Sequence, residues 1–302
     1  MMSHLVIIPL LLPLLTGILL LLLRGSATEL HRLINLAATL GLVAVALLLL
    51  MQTGEGQVEV YRLGNWSAPF GIVLAADRLA AVMVLVTGLL ATGVLLHGRR
   101  VGSYFRVLFQ MQLFGLNGAF LTGDLFNLFV FFEVLLIASY GLLLLGGGRN
   151  RTRAGLHYVV LNLVGSTLFL FAVGSLYGVL GTLNMADMAS RIGPLMESRA
   201  LLVGLAMMTV GFGIKAAVFP MHGWLPDVYT HASPPVSALI SAVMTKVSAY
   251  ALFRILFQCD QGSRSLRTCA AGRGAVDRGH IFRQFAVGWS RPHGRQQTAG
   301  GP

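Results

Sequence analysis

The chain has 302 residues, of which 56% are hydrophobic and 11% charged, and its mean hydropathy is +0.77. Soluble domains carry about 25% charged residues, so the composition excludes an ordinary soluble globular protein and points to a chain built for lipid. The formal net charge of +11 raises nucleic acid as a partner, but no basic patch with interleaved aromatics accompanies it and none is expected.

A span of the ~30 Å hydrocarbon core needs about 20 apolar residues. Suitable stretches run over 4–23, 33–51, 79–97, 106–122, 124–145, 155–180, 201–232 and 235–257, which predicts an all-α polytopic membrane protein with about eight transmembrane helices. Continuous apolar runs such as Leu10 to Leu23 and Val130 to Leu145 lack the alternation of a barrel strand. The first run is read as a retained helix: Met1 to His4 holds no Lys or Arg, the run exceeds a signal h-region, and no A-x-A site follows Arg24.

The loops after spans one, three and five hold Arg24, Arg32, Arg99, Arg100, Arg106, Arg149, Arg151 and Arg153, whereas those after spans two, four and six hold Arg62, Arg78, Arg191 and Arg199. The positive-inside rule then places the N-terminus of this multi-pass protein outside. Asp77 and Asp124 stand at the starts of spans three and five, where an N-cap is the ordinary duty of Asp.

Glu133 is the tenth residue of the span from Asp124 to Leu145, near the bilayer centre, with Tyr140 two turns later on the same face. Of 22 basic residues only two are lysine, Lys215 and Lys246, and both fall inside apolar helices. Arginine holds its proton in proteins, whereas a desolvated lysine can titrate. Three unpaired mid-membrane charges would cost about 8 to 10 kcal/mol, so they must be paired, hydrated or neutralised. A static buried ion pair would serve for one lysine, but one carboxylate cannot neutralise two. A Glu133, Lys215 and Lys246 proton relay is the favoured reading.

Span seven is interrupted. Gly211, Gly213, Pro220, Gly223 and Pro226 surround His222 and Trp224, and Lys215 sits just before them. Broken helices at membrane depth build ion sites in transporters, although such proline density also suits a loop or re-entrant corner. His222, Asp227 and His231 could carry a proton path toward one surface, or the histidines could be capping and hydrogen-bonding groups. On span eight, Ser237, Ser241, Thr245 and Ser248 form a stripe roughly opposite Lys246 at 100° per residue, which suits helix packing.

Gly211 and Gly213 lack the third glycine and preceding strand of a dinucleotide fingerprint, and no phosphate-binding loop or Cys/His cluster with metal spacing occurs, so neither a cofactor nor a metal is expected. After residue 258 the composition changes. Cys259 and Cys269 appear, and seven arginines face two aspartates over 44 residues. This divides the chain into a transmembrane domain, 1–258, and a basic tail, 259–302, of the kind a reading-frame shift or disorder would give.

The segments GDLFNLFVFFEVLLIASYGLL (123–143) and GIKAAVFPMHGWLPDVYTHASPPVSALISAVMTKVSAY (213–250) resemble the proton-translocating antiporter subunits shared by Mrp-type multisubunit Na+/H+ antiporters and respiratory complex I. With ADRLAAVMVLVTGLLATGVLL (76–96), the likeness is closest to the D-type Mrp subunits. The resemblance covers residues 1 to about 258. It implies that Glu133 matches the essential carboxylate of the fifth helix, Lys215 the lysine of the broken seventh, and Lys246 the lysine that continues the relay on the eighth. It also implies partners: other antiporter subunits in a hetero-oligomeric membrane complex, with Na+ or another monovalent cation and H+ as the transported ions. A pumping subunit of a quinone oxidoreductase or membrane hydrogenase is the alternative, and a nonconducting truncated scaffold a second. Members of the family carry a second, inverted repeat that is absent here.

Overall fold

A computed structural model describes residues 3–23, 28–54, 58–66, 71–98, 102–195 and 198–256. The expected tail at 259–302 lies outside them. The helices are α1 (Ile8–Leu22), α2 (Thr28–Gln52), α3 (Arg78–His97), α4 (Ser103–Leu121), α5 (Leu125–Leu144), α6 (Arg149–Leu180), α7 (Met185–Arg191), α8 (Arg199–Lys215) and α9 (Trp224–His231). A last helix, α10 (Pro234–Leu256), passes through a π-helical turn at Ile240–Met244. The chain is polytopic and mostly helical, as expected.

One element departs from the all-α expectation. Strands β1 (Glu59–Arg62) and β2 (Val73–Ala76) pair antiparallel, Glu59 opposite Ala76. The hairpin is invisible to an alternation rule because all four β2 residues are buried. Thr122 bridges to Leu74 and Asp124 to Asn184, so the hairpin and the loop before α7 both lash the start of α5.

Helix starts follow their capping residues. Asp77 accepts from the Ala80 amide at α3, and Asp124 from the amides of Phe126 and Asn127 at α5. Asp77 also lies 3.8 Å from the buried guanidinium of Arg254 on α10. Among the described residues five helices, α2, α3, α5, α6 and α10, are long and apolar enough to cross a membrane, and α1 is a shorter apolar helix. At 32 residues α6 is roughly 48 Å long, more than the hydrocarbon core requires.

The outward face is apolar, with Leu22, Leu33, Met51, Ile137, Leu163 and Phe171 exposed, which in lipid is the favourable arrangement. Polarity is turned inward. On α4, Arg106, Gln110, Gln112 and Asn117 are all buried, and α1 and α5 pack along that helix. Between α6 and α8 the backbones come close: a Cβ on Gly211 would stand 3.0 Å from the Gly165 carbonyl oxygen.

Candidate functional site

The Gly165 and Gly211 contact sets the site. It brings the next residue of α6, Ser166, against the side chain one turn beyond Gly211, Lys215. The Lys215 ammonium donates to Ser166 Oγ at 2.7 Å, and Ser166 Oγ donates to Glu133 Oε1 at 2.5 Å. One hydroxyl thus accepts from the cation and donates to the anion, with α6 lying between α5 and α8. Lys215 is 3% exposed and Ser166 4%, while Glu133 is half-buried. The ammonium also lies 5.6 Å from the centroid of the Phe132 ring, within range of a cation–π attraction.

Lys215 is the final residue of α8, and the way the helix ends differs from the expectation built on prolines. Val218 N–H donates to the Gly213 carbonyl and Ala217 N–H to that of Ile214, the paired bonds of a Schellman stop, with Ala217 at φ 54° in the position that glycine usually holds. Gly211 and Gly213 remain helical, and Pro220 comes five residues after the helix end. The break is therefore made by a left-handed alanine. Gly223 directly precedes α9, and Pro226 occupies its first turn. The Ile214 carbonyl also accepts from Trp224 Nε1 at 3.0 Å, so a fully buried indole pins α9 to the end of α8.

The remaining expected residues do not join this row. His222 stacks obliquely against Phe219 at 5.5 Å. His231 Nδ1 is 2.9 Å from the Asp227 carbonyl, and its own carbonyl accepts from Arg151 Nε at 3.0 Å, so it serves as a helix-end group. Asp227 instead faces His157 of α6 at 3.4 Å, a partner that sequence reading missed. Tyr140 packs edge-on against Tyr158, whose hydroxyl meets Ser139 at 2.9 Å and Met244 Sδ at 3.1 Å. Among the described residues Tyr140 makes no hydrogen bond to Glu133.

Lys246 corrects the expectation of three buried charges. It is exposed, its ammonium donates to the Ser241 carbonyl, and no hydrogen bond links it to Lys215 among the described residues. The π-helical turn at Ile240–Met244 alters the angular spacing between the serines and Lys246, so an unbroken 100° count does not hold across it. The hydroxyls of Ser237, Ser241 and Ser248 bond to backbone carbonyls, in keeping with a packing role.

Ser166 is the site residue that sequence reading passed over. It sits among Asn162, Thr167 and Ser175 on a helix with polar residues on several faces, and only the close approach of α8 singles it out.

Residues 122–268 match the family described as NADH:quinone oxidoreductase/Mrp antiporter, TM. The chain is 46% identical over 265 residues to a probable K(+)/H(+) antiporter D-type subunit of Rhizobium meliloti, covering 84% of this chain and 49% of that protein. It is 41% identical to the D-type subunit of the Na(+)/H(+) antiporter of Alkalihalophilus pseudofirmus, covering 86% and 55%. A chain of the Mrp complex from Dietzia sp. superposes with a TM-score of 0.79 at 34% identity, over 89% of this chain and 51% of that one. This chain spans about half the length of the curated relatives it matches.

Proposed function

We propose that this chain, whose residues 122–268 match the NADH:quinone oxidoreductase/Mrp antiporter membrane family, forms part of a multisubunit monovalent cation/proton antiporter, moving protons through Glu133, Ser166 and Lys215. The observation that carries this reading is the hydroxyl bridge between a buried ammonium and a carboxylate. A lysine held this way can release a proton when its surroundings change, and the serine lets Glu133 act on it without a locked ion pair. Coupling is electrostatic, with no covalent chemistry, so the protein is a transporter subunit.

Lys246, on the open face of α10, is the next station in this proposal, handing protons toward whatever packs there. His222, Asp227 and His231 are secondary, with Asp227 and His157 as the titratable pair nearest the break. The names of the relatives support Na+ and K+ alike as the exchanged cation. Other antiporter subunits complete the assembly, in a bacterial inner membrane with the N-terminus outside, as the loop arginines favour.

The test is cation-driven proton flux in vesicles holding the full set of partner subunits, with Na+ and K+ supplied in turn. Lys215→Ala and Lys215→Arg should each lower flux by at least about tenfold, since a guanidinium cannot release its proton. Unchanged flux in either variant would sink the relay and favour a scaffold role. Flux that appears only when NADH and quinone are supplied would favour a respiratory pumping subunit, the other activity in the family's description.

A further inference from the structure

The π-helical turn at Ile240–Met244 lies in a helix, α10, whose two ends are pinned. At the start, Ser237 Oγ donates to the Tyr229 carbonyl at 3.4 Å, and Val236 and Leu239 are buried. At the far end, Tyr250 Oη and Arg254 Nη1 both donate to the Phe120 carbonyl of α4, at 3.0 and 3.1 Å, and Asp77 lies 3.8 Å from the same guanidinium. A π turn holds about one residue more than an α turn, and such turns recur at functional sites. With both ends fixed, that residue cannot be wound out of the helix. It can only be passed from one turn to the next.

Successive residues of an α-helix stand about 100° apart. When the extra residue moves from Ile240–Met244 to the turn that ends at Tyr250, the side chains between advance by one position, and Lys246 takes the direction that Val247 has now. Lys246 is exposed and Val247 is fully buried, so the step carries the lysine from the open face into the bundle while the anchor on Phe120 stays in place. Two contacts hold the turn where it is. The Tyr158 hydroxyl of α6 donates to Met244 Sδ at 3.1 Å and meets Ser139 of α5 at 2.9 Å, and the Lys246 ammonium donates to the Ser241 carbonyl inside the turn. A thioether sulfur is a weak acceptor, so the hold on Met244 is a light one.

We propose that the π turn is a movable element of the transport cycle, whose shift along α10 turns Lys246 between the open face and the bundle interior. This rests on the reading of Lys246 as a proton station, and it gives that station access to both sides of α10. Tyr158 is then a positioning residue, holding the turn in the outward arrangement.

Deletion of Ala242 removes the extra residue and leaves both ends of α10, and the present direction of Lys246, unchanged. In vesicles holding the full set of partner subunits, the deletion should lower cation-driven proton flux at least about tenfold, as loss of a proton-transfer group does. Protein abundance and the unfolding midpoint should not fall. Hydrogen exchange of the unaltered full chain in detergent, read by mass spectrometry, is the second measurement. Amides of residues 243–247 should exchange at least about tenfold faster than those of 251–255, and should slow to match them once Ala242 is deleted. Full flux after the deletion, where Lys246→Gln abolishes flux, overturns the moving turn and keeps Lys246 as a station. Flux untouched by Lys246→Gln overturns the station and this proposal with it. If the deleted chain does not fold, exchange in the unaltered chain decides, and uniformly slow exchange along α10 overturns the proposal.

Discussion

Lys215 reaches Glu133 through Ser166, whose hydroxyl oxygen lies 2.7 Å from the ammonium nitrogen and 2.5 Å from the carboxylate. No direct ion pair joins the two charges among the described residues.

Removing the bridge is the most direct test of the site. Ser166→Ala should cost about 1 to 3 kcal/mol of stability, because it leaves a buried ammonium short of a partner. In the full complex it should also depress cation-driven proton flux, with protein abundance compared by immunoblot. Full flux with a normal unfolding midpoint would show the hydroxyl to be incidental.

Gly211→Ala should separate α6 from α8, since its Cβ would stand 3.0 Å from a backbone carbonyl that cannot swing away. About 1 to 3 kcal/mol of destabilisation is expected, together with loss of flux. Gly174→Ala, also within a helix but with nothing within 4 Å of its added carbon, is the control. It should gain up to about 1 kcal/mol from helix propensity. The comparison is made by thermal unfolding in detergent.

Ala217→Gly should stabilise the chain by up to about 1 kcal/mol, because the left-handed conformation at φ 54° costs alanine more than glycine. Trp224→Phe keeps an aromatic side chain but removes the donor to the Ile214 carbonyl and part of a fully buried indole, and should lower the unfolding midpoint by the equivalent of at least about 1 to 3 kcal/mol. A destabilised Ala217→Gly would contradict the helix stop described here.

Asp124→Ala removes the acceptor for two backbone amides at the start of α5 and should cost about 0.5 to 2 kcal/mol. Asp124→Asn, which preserves the cap, should restore most of that stability and leave flux unchanged. Flux lost in Asp124→Asn at normal stability would instead assign Asp124 to ion entry.

Much of the fold was legible because lipid imposes simple rules. Apolar runs of spanning length had to be helices, and Asp77 and Asp124, placed just before two of them, had to satisfy amides that nothing else could reach. Glu133 and Lys215 stood out because charge is costly at their depth, and the structure brings those two together. Lys246 stood out by the same rule yet lies on an exposed face, since its direction depends on a π-helical turn that periodicity cannot foresee. The β-hairpin was hidden because its inner strand is buried on every residue, and the stop of α8 because alanine carries no turn signal.

By itself, then, the sequence determined that this chain lives in a membrane, where its helices run and which charges demand partners, because these follow from hydropathy and the local chemistry of capping. The tertiary structure alone decided that Ser166 is the partner and that Lys246 stands apart. It also set Tyr158 against Ser139 and Met244. Each of these turns on the close approach of helices distant in the chain, and a local pattern carries no information about distances of that kind.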